Sequence, residues 1–236
     1  MLFWDTTYIL VLIGAVLCMA ASGYLKSTYK KYSGERSQSG LTGKDAALRI
    51  LKHAGINDVK VERVSGNLTD HYDPRSKTLR LSESVHDSAS VAALGVSAHE
   101  CGHAIQHNTG YAPLRLRSAL VPVATISSHL GMPLVLLGFL LGFDVPIPGT
   151  EYVFNLIDIG ILVFGVAILF QLVTLPVEFN ASVRAKAVLG NCGIMGGTEM
   201  KSAQRVLNAA ALTYVASAAA ALLQLFRLIL LRGRRG

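Results

Sequence analysis

The segment VAALGVSAHECGHAIQH, which runs from Val91 to His107, is the stretch around which the rest of the chain is organised. Within it, His99 and His103 stand four residues apart, so a helix would place both on one face, one turn from each other. Two imidazoles at this spacing can reach one metal ion, and zinc is the usual occupant. Glu100 directly follows the first histidine, where a carboxylate can serve as the base for a water molecule on the metal. The pattern therefore predicts a metal helix that lacks a third ligand.

The composition indicates a membrane protein. Of the 236 residues, 51% are hydrophobic and 16% are charged, whereas soluble chains average about 25% charged residues. The net charge is +7, but the basic residues do not form a patch with interleaved aromatics, so nucleic acid is not an expected partner. The three cysteines lie far apart and show no disulfide framework.

Four apolar segments are each about as long as the 20 residues that a helix needs to cross a bilayer. They comprise residues 2–23, 118–142, 154–176 and 209–231. The first is expected to remain as an anchor, because its lysines follow the apolar run, whereas a cleaved signal peptide carries its positive charge before it.

Basic residues predict the orientation of these segments. Fourteen lysines and arginines lie between the first and second apolar segments, and four more lie between the third and the fourth, whereas the loop 143–151 has none. The positive-inside rule places both basic segments in the cytoplasm and the N-terminus outside. Only the tail, with Arg232, Arg234 and Arg235, disagrees with this rule, because a full fourth span would place it outside. A fourth segment that is interfacial or re-entrant therefore stays an alternative to four full spans.

Glu178 is the first candidate for the missing ligand, and His107 is its rival. Glu178 follows the third apolar segment directly, and we expect Pro176 to end or kink that helix so that the carboxylate emerges at the cytosolic face. His107 lies one turn beyond His103, about 6 Å further along the helix. It would also be rotated away from the common face, which makes a single-ion site awkward.

A small mixed region precedes the metal helix. Residues 44–54 are amphipathic, and residues 59–64 and 78–82 alternate like half-buried strands. Asp73 and Pro74 mark a turn between them. Ser88 or Ser90 is expected to cap the metal helix.

Three further stretches carry a resemblance that is more specific than the histidine pair alone. They are Leu68-Thr-Asp-His-Tyr-Asp-Pro74, Leu172-Val-Thr-Leu-Pro-Val-Glu-Phe-Asn-Ala-Ser182 and Leu207-Asn-Ala-Ala-Ala-Leu-Thr-Tyr-Val215. With the zinc motif, they make nearly the whole chain similar to the bacterial membrane-bound neutral zinc metallopeptidases called YugP-like. The resemblance implies that His99, His103 and Glu178 bind zinc and that Glu100 is the catalytic base. Residues that could support a ligand or the reaction's oxyanion are Tyr72, His107 and Asn180.

We therefore predict a mainly α integral membrane protein with about four transmembrane helices and a small α+β zincin-like cytosolic domain that contains a short β-sheet. The expected parts are an anchor (1–24), the zincin-like domain (25–117), two spans (118–142 and 153–176), a cytosolic segment with the third ligand (177–208) and a last span (209–231).

The expected function is that of an endopeptidase in the inner membrane of a prokaryote, with one zinc ion and the active site facing the cytoplasm. Zinc-activated water would hydrolyse peptide bonds of a protein or peptide substrate, and we expect that substrate to be associated with the lipid bilayer. The alternative is a non-catalytic zinc-binding membrane scaffold. A transporter is disfavoured, because His99 and His103 lie outside the apolar segments.

Overall fold

The computed structural model describes residues 5–142, 144–146, 148–149 and 153–233. The chain is mainly helical and falls into two compact units. The first unit comprises Met1–Ala20, Leu116–Thr174 and Tyr214–Gly236, and the second comprises Ala21–Arg115 and Leu175–Thr213.

The elements alternate between long helices and a short mixed region. The helices are α1 (Tyr8–Ser33), α2 (Gly43–His53), α3 (Glu83–His86), α4 (Val91–Asn108), α5 (Ala112–Leu141), α6 (Leu156–Asn191) and α7 (Gly197–Gly233). The strands are β1 (Lys60–Val64), β2 (His71–Asp73), β3 (Thr78–Ser82), β4 (Asp144–Pro146) and β5 (Val153–Asn155).

Four of these helices, α1, α5, α6 and α7, are long and apolar enough to cross a membrane. Each contains most of one apolar segment that the sequence predicts. Residues 1–4 of the first segment, the loop residues 143, 147 and 150–152, and the tail residues 234–236 with Arg234 and Arg235 lie outside the described residues. The predicted loop after α5 also contains a short antiparallel pair, β4 and β5.

Two of the long helices extend well beyond the apolar segments. Helix α6 does not end at Pro176 but continues to Asn191. The extension buries one residue per turn, at Val177, Ala181, Ala185 and Leu189, so burial of this face stabilises the helix after the proline. Helix α7 begins at Gly197, twelve residues before the predicted span, and its early turns likewise bury Ala203, Val206 and Leu207.

In the second unit a three-stranded sheet and α2 pack on α4. Strand β3 lies in the centre, parallel to β1 and antiparallel to β2. The strands predicted at 59–64 and 78–82 are confirmed, but β2 was missed, because three residues are too few to show alternation. Ser90 is the cap of α4, with its Oγ accepting a hydrogen bond from the Ala93 N–H at 3.2 Å. The sheet and α2 thus hold α4 from one side.

In the first unit, oppositely charged side chains pair at the end of α7. Arg232 Nε lies 2.9 Å from Asp158 Oδ1, in the first turn of α6. Arg227 lies 3.8 Å from Asp5, just before α1. Asp158 therefore pairs with Arg232, one of the tail arginines whose charge disagrees with a fourth span.

Candidate metal centre

Helix α4 presents both motif histidines from the interior of the second unit. Thirteen of its eighteen residues are buried, including Glu100 and His103. The two imidazole rings have their centroids 4.8 Å apart and meet edge to face, at 86°. The spacing of four residues has thus placed both rings on one face, as the sequence predicts.

Glu178 comes to this pair from α6. Its Oε2 lies 3.2 Å from His99 Nε2 and 3.6 Å from His103 Nε2. One ligand atom from each of the three side chains lies within 4.8 Å of the others, and no further cluster of three such groups occurs in the described part of the chain. The structure therefore brings the two histidines together with the carboxylate that the sequence favoured over His107.

Gly102 allows α6 to approach α4 closely. A Cβ atom at this position would lie 2.5 Å from the carbonyl oxygen of Ala181 on α6. A glycine inside a helix costs about 1 kcal/mol relative to alanine, and here the close approach of another backbone accounts for it. The neighbour is the backbone of the helix that carries Glu178.

Each histidine also forms a hydrogen bond through its other ring nitrogen. His99 Nδ1 lies 3.2 Å from Ser182 Oγ, and His103 Nδ1 lies 3.0 Å from Gln106 Oε1. Bonds of this kind orient the ring and select the nitrogen that faces a metal. Our sequence prediction missed Gln106 and Ser182. Their helical spacing, three residues after His103 and four after Glu178, is the signal that could have found them.

Electrostatics in the cluster favour a cation. Burial works to lower the pKa of His103, but the nearby carboxylates of Glu178 and Glu100 raise it overall. Burial works to raise the pKa of Glu178, but the adjacent imidazoles of His103 and His99 hold that pKa well below its usual range. Glu178 is thus a buried anion between two imidazoles, and a metal cation would meet the same negative field.

The other residues predicted to support the site lie in two places. Asn180 Oδ1 accepts hydrogen bonds from Gln106 Nε2 at 3.0 Å and from Arg184 Nε at 2.8 Å. Tyr72 Oη and His107 Nδ1 are hydrogen-bonded to each other at 2.8 Å, outside the three-ligand cluster. Burial and the charges of nearby aspartates raise the pKa of Tyr72 to about 12, so its hydroxyl keeps its proton at neutral pH.

The donor set fits zinc. Hydrolytic zinc sites have three protein ligands, drawn from imidazole nitrogens and a carboxylate oxygen, and leave one position open. His99, His103 and Glu178 offer two nitrogens and one oxygen, with His103 and Glu178 buried and His99 half-buried. Cys101, although it lies between the histidines, is buried in the core with its Sγ 3.8 Å from the Ala47 carbonyl oxygen, as expected for a packing residue.

The fold and the cluster together define a class: a helical protein with four candidate membrane spans and a largely buried group of two histidines and one glutamate. The chain belongs to the family described as "Putative neutral zinc metallopeptidase", which matches residues 7–233. It is 46% identical over 212 residues to the "Putative membrane protease YugP" of Bacillus subtilis, which covers 89% of this chain and 90% of that protein. No solved structure matches the chain. The resemblance inferred from the sequence motifs is therefore confirmed.

Proposed function

We propose that the protein is an integral membrane zinc endopeptidase, with one zinc ion held by His99, His103 and Glu178. The observation that carries this proposal is the meeting of these three side chains, with ligand atoms within 4.8 Å, beside the carboxylate of Glu100. Membership of a zinc metallopeptidase family and the likeness to a membrane protease support it. Tyr72, His107 and Asn180 remain supporting residues in this proposal.

Zinc, when bound, supplies Lewis acidity that lowers the pKa of a water molecule and polarises a peptide carbonyl. Glu100 is the general base in this proposal: its carboxylate accepts the proton of the attacking water and passes it to the leaving amine. Glu100 is buried on α4 next to His99, so its carboxylate is positioned by the same helix that holds the two imidazoles.

We place the site at the cytosolic face of the inner membrane, in the zincin-like domain of 25–117, with the third ligand supplied by the cytosolic segment 177–208. The two basic segments of the chain are the segments that contribute the cluster residues, and the positive-inside rule assigns both to the cytoplasm. The pairing of Arg232 with Asp158 is compatible with a fourth full span, because charged side chains of membrane helices pair with one another. Protein segments at the membrane surface are the proposed substrates.

Glu100→Gln tests the peptidase against a zinc-binding scaffold. We expect the variant to bind zinc as tightly as the wild type but to cleave an unfolded reporter such as casein about 100-fold to 10,000-fold more slowly, the usual contribution of a general base. Zinc content is measured on the purified full-length protein in lipid nanodiscs, alongside cleavage. Glu62→Gln, on the exposed face of β1, is the matched control and should cleave normally. Equal cleavage by the wild type and Glu100→Gln would leave the scaffold as the better description.

A further inference from the structure

Gln106 is a fully buried polar side chain that the zinc motif does not include. It lies on α4 one turn beyond His103 and is 0% exposed. Its Oε1 lies 3.0 Å from His103 Nδ1, and its Nε2 lies 2.8 Å from the Val177 carbonyl oxygen and 3.0 Å from Asn180 Oδ1. Two of these contacts join α4 to α6, at Val177 and Asn180 on either side of Glu178, and the third lies within α4, on the metal-site residue His103.

The partners of Gln106 fix which way its amide points. The Val177 carbonyl can only accept a hydrogen bond, so it requires the amide nitrogen. Arg184 can only donate, and its Nε lies 2.8 Å from Asn180 Oδ1, so Asn180 presents its oxygen toward Gln106. Two acceptors therefore face Nε2 of Gln106, and the amide oxygen is left for His103.

Arg184 is itself held in place. Its guanidinium lies over the ring of Tyr111, 5.7 Å from the centroid, and the Tyr111 N–H donates to the Gln106 carbonyl oxygen at 2.9 Å. The arginine that sets the polarity of Asn180 is thus tied to the same end of α4 as Gln106. A rotated Gln106 amide would set Oε1 against the oxygens of Val177 and Asn180 and would lose both hydrogen bonds.

The polarity of this chain of bonds determines the tautomer of His103. The Gln106 Oε1 atom can only accept, so the hydrogen between it and His103 lies on Nδ1. A neutral imidazole with its hydrogen on Nδ1 carries its free lone pair on Nε2. That is the atom that faces Glu178 across 3.6 Å in the candidate metal cluster.

We propose that Gln106 is a positioning residue that sets the tautomer of His103 and thereby directs its Nε2 lone pair to the metal. This inference rests on the proposed zinc site. The two histidines differ in this respect: His99 Nδ1 faces the Ser182 hydroxyl, which can donate or accept and so imposes no tautomer. The tautomer of His103 is thus fixed by the hydrogen bonds around Gln106, whereas the tautomer of His99 can adjust to the ion.

The test compares Gln106→Met with the wild type in two measurements that need no peptidase activity. Zinc affinity of the full-length protein in nanodiscs, measured by competition with a chromogenic chelator, is expected to fall about 10-fold to 100-fold, as for other residues that orient metal ligands. In nitrogen-15 spectra of the zinc-loaded protein, His103 is expected to show an Nδ1–H signal that exchanges slowly with water in the wild type and rapidly in the variant. His103→Gln assigns the signal.

Gln204→Met, at a half-buried glutamine on α7, is the matched control and should leave both measurements unchanged. If Gln106→Met does not fold, Asn180 provides a second test at a half-buried position. Asn180→Asp keeps an acceptor for Gln106 and should retain zinc affinity within about 3-fold of the wild type. Asn180→Leu removes the acceptor, and its zinc affinity should fall by more than that, toward the loss of about 10-fold to 100-fold expected when a supporting residue is removed.

Wild-type affinity and an unchanged His103 signal in Gln106→Met would overturn the inference, as would equal zinc loss in Asn180→Asp and Asn180→Leu. Failure of the wild type to bind zinc would overturn the metal site on which the inference rests. A zinc-binding protein in which Glu100→Gln cleaves normally would overturn only the proposed peptidase mechanism, because neither measurement here depends on cleavage.

Discussion

Glu178→Ala is expected to lose both zinc binding and peptide cleavage. The substitution removes the anion that faces His99 at 3.2 Å and His103 at 3.6 Å, and two imidazoles alone do not form a stable hydrolytic zinc site. Zinc affinity should fall by more than about 100-fold, the upper end of the effect of residues that only support a ligand. Chelator competition on the full-length protein measures the loss, and casein cleavage should vanish with it.

His107→Ala is the matched control for this prediction. His107 also lies on the metal helix, one turn beyond His103, but its Nδ1 is hydrogen-bonded to Tyr72 and it stands outside the three-ligand cluster. The variant should therefore retain its zinc, with any loss of affinity below the more than about 100-fold expected for Glu178→Ala. Full zinc retention in Glu178→Ala together with zinc loss in His107→Ala would reverse the assignment of the third ligand.

Much of the metal cluster could be predicted from the sequence, because its parts rest on local rules. The two histidines need only helical periodicity, and α4 supplies it. Glu178 lies 79 residues from His99 along the chain, and no local rule joins them. It became a candidate because the charge distribution put both on one side of the membrane, and because the resemblance covered its neighbourhood.

The features that the sequence did not predict depend on packing between segments that are distant along the chain. Pro176 predicts a helix end, yet α6 continues, because Val177, Ala181, Ala185 and Leu189 gain burial that a sequence window cannot anticipate. Gln106 looks like an ordinary polar residue of a helix until α6 brings the Val177 carbonyl and Asn180 to it. The apolar segments predicted where the long helices lie, but not how far they extend into the second unit.

Gly102→Ala is expected to weaken zinc binding without touching a ligand. Alanine is the better helix former by about 1 kcal/mol, so helix propensity alone predicts a more stable α4. The added Cβ, however, would lie 2.5 Å from the Ala181 carbonyl oxygen, and a backbone atom cannot move aside as a flexible side chain can. Helix α6 must shift, and Glu178 lies less than one turn before Ala181.

The expected result is a net destabilisation of about 1–3 kcal/mol from overpacking, together with a fall in zinc affinity as Glu178 moves from the two histidines. Thermal unfolding of the protein in nanodiscs and chelator competition measure the two effects separately. Gly95→Ala on the same helix is the matched control, because its Cβ would lie at an ordinary 3.5 Å from the Ala203 Cβ. That variant should keep its zinc and gain stability from helix propensity. If Gly102→Ala is as stable as Gly95→Ala and binds zinc with the same affinity, the close approach of α4 and α6 does not set the position of Glu178.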